Sequence, residues 1–212
     1  MQKGKIRSQR KYNSNRKGYR YFILYKPYGV LCQFTDSTGR KTLADIGQFP
    51  RDVYPVGRLD FDSEGLVLLT NDGKLKNILL DPENKHPRTY LAQVEKVPDE
   101  EKLNRLRAGI DLKGYRTLPA DVRLLKRQPE IPSRNVPIRY RRNIPTAWLK
   151  LILHEGKNRQ VRRMTAAVGH PTLRLIRMTI GPLSIGSLRP GEVQELLKNE
   201  IRNLKNQSIT LQ

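Results

Sequence analysis

Residues 56–73 constrain the fold more than any other stretch of the sequence, because they place a polar loop directly before a short apolar run. The loop carries four charged side chains: Arg58, Asp60, Asp62 and Glu64. The run that follows, residues 66–69, has the pattern of a strand buried on both faces. Asp72 then stands where it can cap a helix over residues 74–80. The stretch therefore predicts strand, acidic loop, strand, turn and helix.

The acidic loop has two interpretations when it is considered by itself. Acidic residues between two elements are often solvated turn formers, and Arg58 would then only pair with one of them. Alternatively, a polar loop that is anchored on a buried strand is a rigid platform for chemistry.

The charge of the whole chain indicates an anionic partner. The 41 Lys and Arg residues exceed the 20 Asp and Glu residues, so the formal net charge is +21 and self-repulsion is strong. Residues 1–19 supply seven of the cations and no acid, which predicts a flexible arm that contacts phosphates or only aids solubility. Nucleic acid is the first candidate partner and an anionic membrane surface the second. No apolar run approaches the roughly 20 residues that a spanning helix needs.

Cysteine and histidine usage argues against disulfides and metals. A single cysteine, Cys32, cannot form an internal disulfide, and its apolar surroundings predict a small buried side chain. The three histidines, His86, His154 and His170, lack a second ligand at metal-binding spacing. The sequence also has no glycine-rich phosphate loop. We therefore expect a cytoplasmic protein with no metal and no cofactor.

A cluster of arginines begins a predicted helix over residues 158–169, with Asn158 as its cap and Gly169 at its end. Arg159, Arg162 and Arg163 fall within its first turn and a half, where the positive end of the helix dipole disfavours cations. An anion should meet them, either a carboxylate of the protein or an RNA phosphate.

Residues 126–145 contain four prolines and six basic residues against Glu130 alone, which predicts a long exposed basic loop. Its Arg141 and Arg142 follow Tyr140, a mixture that suits RNA stacking and phosphate contact. A solvated loop explains the same composition. A final helix is predicted over residues 192–204, before a polar tail at 206–212.

Three motifs together resemble those of the RsuA-like family of RNA pseudouridine synthases, over about residues 20–195. The first is G-R-L-D at residues 57–60, followed by S-E-G-L-V-L-L-T-N-D-G at residues 63–73. The second is R-T-Y at residues 88–90, where the family usually has lysine before threonine. The third is E-G-K-N-R-Q-V-R-R-M at residues 155–164.

The resemblance implies a set of roles for particular residues. Asp60 would be the nucleophile, and Arg162 would form a salt bridge that keeps it ionised and oriented. Tyr90 would lie beside the target uracil, although a tyrosine in a strand is more often a core residue. Attack on the ribose C1′ and prior abstraction of a ribose proton both stay open. The predicted RNA contacts are Arg58, Arg88, Arg159, Arg163, Lys157, Arg141 and Arg142.

The favoured function is therefore site-specific isomerisation of a uridine in 23S ribosomal RNA by a monomeric enzyme. One alternative is a non-catalytic protein that binds rRNA or assists ribosome assembly. Another is a glycosidase-like hydrolase built on Asp60 with Asp62 or Glu64, which accounts for neither the charge nor the arginine helix. We expect an α+β fold with a large, mainly antiparallel or mixed sheet in two lobes, helices outside and a central basic cleft. Residues 20–205 would form the catalytic domain, without the S4 domain that many members carry.

Overall fold

A computed structural model describes residues 18–139, 141–197 and 200–202 of the chain. Most of the predicted basic arm, Tyr140 and the predicted tail at 206–212 lie outside the described residues. The strands are β1 Tyr21–Lys26, β2 Tyr54–Val56, β3 Glu64–Thr70, β4 Arg88–Glu95, β5 Asp111–Leu112, β6 Tyr115–Arg116, β7 Asp121–Leu124, β8 Thr146–Leu153, β9 Thr172–Ile180, β10 Leu183–Ser184 and β11 Val193–Glu195. The helices are α1 Gly73–Leu80, α2 Glu100–Ala108 and α3 Gln160–Ala167, with short 3-10 turns at Leu43–Asp45 and Pro82–Asn84.

One large mixed sheet organises the described residues, in the order β11-β1-β3-β9-β4-β8-β7. Strand β2 adds to β3 and strand β10 adds to β9, while β5 and β6 form a separate hairpin. All the pairings in the large sheet are antiparallel except the one between β3 and β9. The α+β prediction, with a mainly antiparallel mixed sheet, is confirmed.

Strand β3 is buried along its whole length, as the apolar run predicts. Leu66 and Leu68 face a core that α1 covers, whereas Val67 and Leu69 face a second core on the opposite side of the sheet. Helices α2 and α3 cover the other half of the sheet, around β4, β8 and β9. The cap is also confirmed, since Oδ1 of Asp72 accepts a hydrogen bond from the Leu75 amide at 3.0 Å.

The two halves of the sheet meet at a short parallel joint between β3 and β9. Only Glu64 and Gly65 pair there, with Ile176 and Arg177. Glu64 was expected in the acidic loop, but it begins β3, where its buried carboxylate receives two 2.8 Å hydrogen bonds from the Arg174 guanidinium. Burial makes such a pair depend on both partners, because either charge alone would be left without solvation.

Two predicted helix boundaries are wrong. Helix α3 begins at Gln160, and Arg159, at its N-cap, has a left-handed backbone (φ 48°) and no side-chain capping bond, so Asn158 is not the cap. In place of a helix from residue 192, residues 193–195 form β11, which pairs with β1. The backbone amides and carbonyls of this segment can be satisfied by pairing with β1 as well as by a helix. The amphipathic pattern of the sequence does not show that a partner strand is available. Among the described helices, none is long and apolar enough to cross a membrane.

Candidate active site

The three motifs line one cleft near the joint between β3 and β9. The loop of residues 57–63 forms one side, and the segment of residues 153–161, which joins β8 to α3, forms another. Tyr90 of β4 contributes to the wall between them. The cleft has a volume of about 460 Å³, which lies within the range of small-ligand sites. Five of the predicted site residues line it: Arg58, Asp60, Tyr90, Lys157 and Arg159.

Arg159 is the cation next to Asp60. Its Nη1 lies 3.3 Å from Oδ2 of Asp60, and the side chain of Asp60 keeps about a third of its surface exposed. The same guanidinium makes two 3.0 Å hydrogen bonds to the two carboxylate oxygens of Asp62. This bidentate geometry is the strong form of an arginine–carboxylate contact. Arg159 therefore holds both carboxylates of the loop.

Arg162 lies deeper and contacts Asp62, so the expected direct pair between Arg162 and Asp60 is not the ion pair that the structure forms. Its Nη2 donates to the backbone carbonyl of Asp62 at 2.8 Å and lies 3.4 Å from Oδ2 of the same residue. Its Nη1 donates to the carbonyl of Thr172 at 3.2 Å. The different contacts of the two arginines follow from their positions. Arg162 lies on the first turn of α3 and reaches the Thr172 carbonyl of the sheet. Arg159 lies at the N-cap, and its left-handed backbone directs its side chain to the loop.

The electrostatics of the loop favour the ionised form of Asp62. Burial by itself would raise the pKa of Asp62, but the hydrogen bonds from Arg159 and the positive charges of Arg162 and Arg159 bring that pKa below its usual range. Burial lowers the pKa of Arg162, and the charge of Asp62 opposes the change. At neutral pH the loop is a compact network of opposite charges.

Tyr90 occupies an irregular position in β4. The register between β4 and β9 shifts between Thr89 and Tyr90, so that Tyr90 pairs with Arg177 and Met178 is an extra residue in β9. Such a bulge bends a strand and redirects the side chains beside it. Tyr90 is half-buried: it packs against the core around α3 and also lines the cleft.

A buried lysine holds the turn that is bonded to the acidic loop. Lys26 is fully buried at the end of β1, and its ammonium donates to the carbonyls of Val30 at 2.6 Å and Pro27 at 3.0 Å. The turn that follows is bonded to the loop, because the Gly29 amide donates to the Phe61 carbonyl at 2.9 Å. Burial lowers the pKa of Lys26 to about 8.

Hydrogen bonds that the motifs did not predict shape the segment before α3. Oε1 of Glu155 accepts hydrogen bonds from Nε2 of Gln160 at 2.6 Å and from the Leu118 amide at 2.8 Å. Oε1 of Gln160 accepts the amide hydrogen of Lys157 at 3.0 Å. Gln160 could have indicated these bonds, because a glutamine on the buried face of a helix needs hydrogen-bond partners.

The other predicted RNA contacts are spread over separate places. Arg88 is half-buried and donates to the Leu79 carbonyl at 2.9 Å, at the end of α1. Arg163 lies over the ring of Tyr115 and bonds the Lys113 carbonyl, so it faces the β5–β6 hairpin. Arg141 lies 3.4 Å from Glu95, and it lines a different cavity with Arg142. In the described part of the chain, no cluster of three or more His, Cys, Asp or Glu residues could hold a metal ion.

Comparisons with known proteins agree with the motifs. Residues 20–167 match the family described as RNA pseudouridylate synthase. The chain is 53% identical to "Ribosomal large subunit pseudouridine synthase E" of Vibrio parahaemolyticus, over 82% of this chain and 72% of that protein. It is 52% identical to the protein of the same name in Xanthomonas axonopodis pv. citri, over 79% of this chain and 89% of that one. A crystal structure of a pseudouridylate synthase superposes with a TM-score of 0.74 at 30% identity, covering 90% of this chain and 75% of the other. The chain therefore belongs to the RNA pseudouridylate synthase family.

Proposed function

We propose that this enzyme converts one uridine of 23S ribosomal RNA to pseudouridine, with Asp60 as the nucleophile. The names of the two relatives support a large-subunit rRNA substrate. The observation that carries the catalytic assignment is the position of Asp60, which lies on the cleft wall with Tyr90 and has Arg159 3.3 Å away. The monomeric state and the cytoplasmic location stay predictions.

The reaction needs no redox or phosphoryl step. The bond between uracil N1 and ribose C1′ breaks, the base rotates, and C5 bonds to C1′ while the C5 proton moves to solvent and N1 gains a proton. Substrate and product therefore have the same atoms. An ionised carboxylate beside C1′ can assist this exchange by covalent attack or by taking a ribose proton. Tyr90 would contact the uracil ring.

We assign different roles to the two arginines near Asp60. Arg159 would orient the nucleophile through its direct contact. Arg162 would act as a positioning residue, since it bonds the backbone of Asp62 rather than the reacting carboxylate. The division differs from the pairing that the family resemblance implies, because Arg159 contacts the Asp60 carboxylate while Arg162 contacts Asp62.

The RNA has to present its uridine outside a helix, because the reacting atoms of a stacked base are inaccessible. Arg58 and Lys157 are exposed at the cleft and would contact the displaced strand. We keep residues 20–205 as the catalytic domain, and we propose that the basic arm and the loop of residues 126–145 help to dock the RNA. The basic character of a cleft between two lobes stays a prediction.

A matched pair of variants tests the assignment. Unmodified 23S RNA made by transcription would be incubated with wild-type protein, Asp60→Asn and Asp62→Asn, and pseudouridines would be mapped along the RNA. We expect one new pseudouridine with wild type and none with Asp60→Asn. Asp62→Asn should reduce formation, because it weakens the contact with Arg159 that holds the loop. Turnover by Asp60→Asn at the wild-type rate would exclude Asp60 as the nucleophile. RNA binding without any pseudouridine from wild type would favour the non-catalytic alternative.

A further inference from the structure

A second cavity lies beside the catalytic cleft. Its volume is about 930 Å³, and three residues line both spaces: Cys32, Gln33 and Arg58. Arg58 is two residues from Asp60, so the second cavity begins where the catalytic loop begins. The roles assigned above to Asp60, Tyr90 and the arginines of α3 do not use this space.

Aromatic side chains give the cavity its apolar character. Phe34, Phe49 and Tyr54 line it. Phe34 and Phe49 meet edge to face, with ring centroids 5.7 Å apart, and Phe49 also packs against the buried Phe22 at 5.8 Å. Tyr54 is anchored in β2 and keeps 57% of its surface exposed. Rings held in this way offer faces for stacking without a large loss of conformational freedom.

The charged residues of the cavity are all basic. Arg51, Arg58 and Lys76 line it, and its lining contains no aspartate or glutamate. Two amides, Gln33 and Gln48, add donors and acceptors beside the rings. Aromatic faces, amides and cations together fit a flat aromatic ring that carries phosphates. A ligand with phosphates but no ring would leave the aromatic faces unused, and a purely aliphatic ligand would leave the cations unused.

We infer that this cavity binds an unstacked nucleobase of the RNA that flanks the target uridine, and we call it the flanking-base pocket. The inference rests on the proposed function. Extruding one nucleotide breaks the stacking of its neighbours, which then need new surfaces. Single-stranded RNA is recognised in this way, by aromatic stacking and hydrogen bonds to base edges. Arg58 would lie against the phosphates between the two bases, since it lines both spaces.

The flanking-base pocket predicts a coupling between Tyr54 and one particular base. An RNA fragment that contains the mapped uridine would be made intact and with a single abasic nucleotide at each of the two positions on either side. Wild type, Tyr54→Ala and Tyr54→Phe would be compared on each RNA for kcat and KM. Tyr54 is exposed, so the fold should tolerate both changes, and thermal unfolding would verify this.

We expect Tyr54→Ala to raise KM by about 10-fold on intact RNA, in the range of one lost stacking contact, with kcat nearly unchanged and Tyr54→Phe close to wild type. One abasic position should raise the wild-type KM similarly, and Tyr54→Ala should add nothing further on that RNA. Effects of Tyr54→Ala that multiply with every abasic position, or that are absent on intact RNA, would overturn the inference. Absence of pseudouridine with wild type on intact RNA would instead count against the proposed function.

Discussion

Asp60 and Asp62 lie in the same loop, but they have different numbers of partners. Asp62 receives two hydrogen bonds from Arg159, and its carbonyl receives one from Arg162. Among the described residues, the Asp60 side chain makes one ion-pair contact, with Arg159, and it lines the cleft. A carboxylate that is fully engaged in structural bonds is a poor nucleophile, while one held at a single point can meet a substrate. The contacts therefore support the proposal that Asp60 is the reacting carboxylate and that Asp62 holds the loop in place.

At the residue scale, we expect Arg162→Ala to lower the single-turnover rate constant by about 10²-fold, because the loop would lose its anchor at the Asp62 carbonyl and Asp60 would move. Arg163→Ala is the matched control on the same helix, since its guanidinium bonds the hairpin carbonyl of Lys113 instead. The measurement is single-turnover isomerisation of the RNA. Equal losses in the two variants would contradict a positioning role specific to Arg162.

A second prediction at this scale concerns Lys26 and the pH dependence of the free energy of unfolding. Burial lowers the pKa of Lys26 from its ordinary value of 10.5 to about 8. Between these values the unfolded chain binds more protons at this residue than the folded chain, so the free energy of unfolding should rise with pH. From pH 7.5 to 9.5 the contribution is about 2 kcal/mol.

Denaturant unfolding at the two pH values would measure this rise. Lys26→Met removes the titrating group, so its free energy of unfolding should rise with pH by correspondingly less than that of wild type. Identical pH dependence in the two proteins would show that Lys26 does not titrate in this interval.

At the scale of elements, the joint between β3 and β9 sets the position of the acidic loop. Two residue pairs and the buried ion pair of Glu64 with Arg174 connect the halves of the sheet. Arg174 also donates to the Pro132 carbonyl at 2.9 Å, so the same contact anchors the loop of residues 126–145. The acidic loop enters β3 at this joint, and the strand that carries Tyr90 flanks β9 on its far side.

Gly65→Ala should weaken this joint. Gly65 has a φ of 109°, and a Cβ there would lie 2.3 Å from the Arg177 carbonyl oxygen, so the strands would have to separate. We expect a loss of about 3 kcal/mol or more in the free energy of unfolding, together with loss of activity. Gly73→Ala is the matched control, because Gly73 begins α1 with open space around it and should be neutral or slightly stabilising. Chemical denaturation of both variants tests the contrast, and equal stability would refute it.

For the whole molecule, the excess of positive charge should appear as a steep salt dependence of RNA binding. Residues 1–17 carry seven of the cations, and the remaining chain would keep a charge of 21 − 7 = +14. Removing these residues should lower the slope of log K against log salt by up to about 5, if each cation meets one phosphate of a single strand. The rate of isomerisation at saturating RNA should stay near wild type. An unchanged slope would show that the arm makes no phosphate contact.

The local features of the sequence were sufficient for the elements near the site. The apolar run of residues 66–69 and the cap at Asp72 led to the observed strand β3 and helix α1. These signals are short-range, since they depend on side-chain periodicity and on hydrogen bonds between residues a few positions apart. The three motifs also led to the family, and some residues of each motif line one cleft.

The tertiary structure decided which charges touch. Three arginines that are neighbours in sequence have different partners. Arg159 contacts the carboxylates of the acidic loop, and Arg162 bonds the backbone carbonyl of Asp62. Arg163 bonds the Lys113 carbonyl of the β5–β6 hairpin. Their directions depend on where α3 begins and on how it packs on the sheet, neither of which the residue types specify. The pairing of residues 193–195 with β1 is likewise a long-range event, because an edge strand forms only where another strand offers its unpaired backbone. The sequence alone determined which charged groups are present, and folding determined which of them meet, because contacts between distant residues depend on how the elements pack.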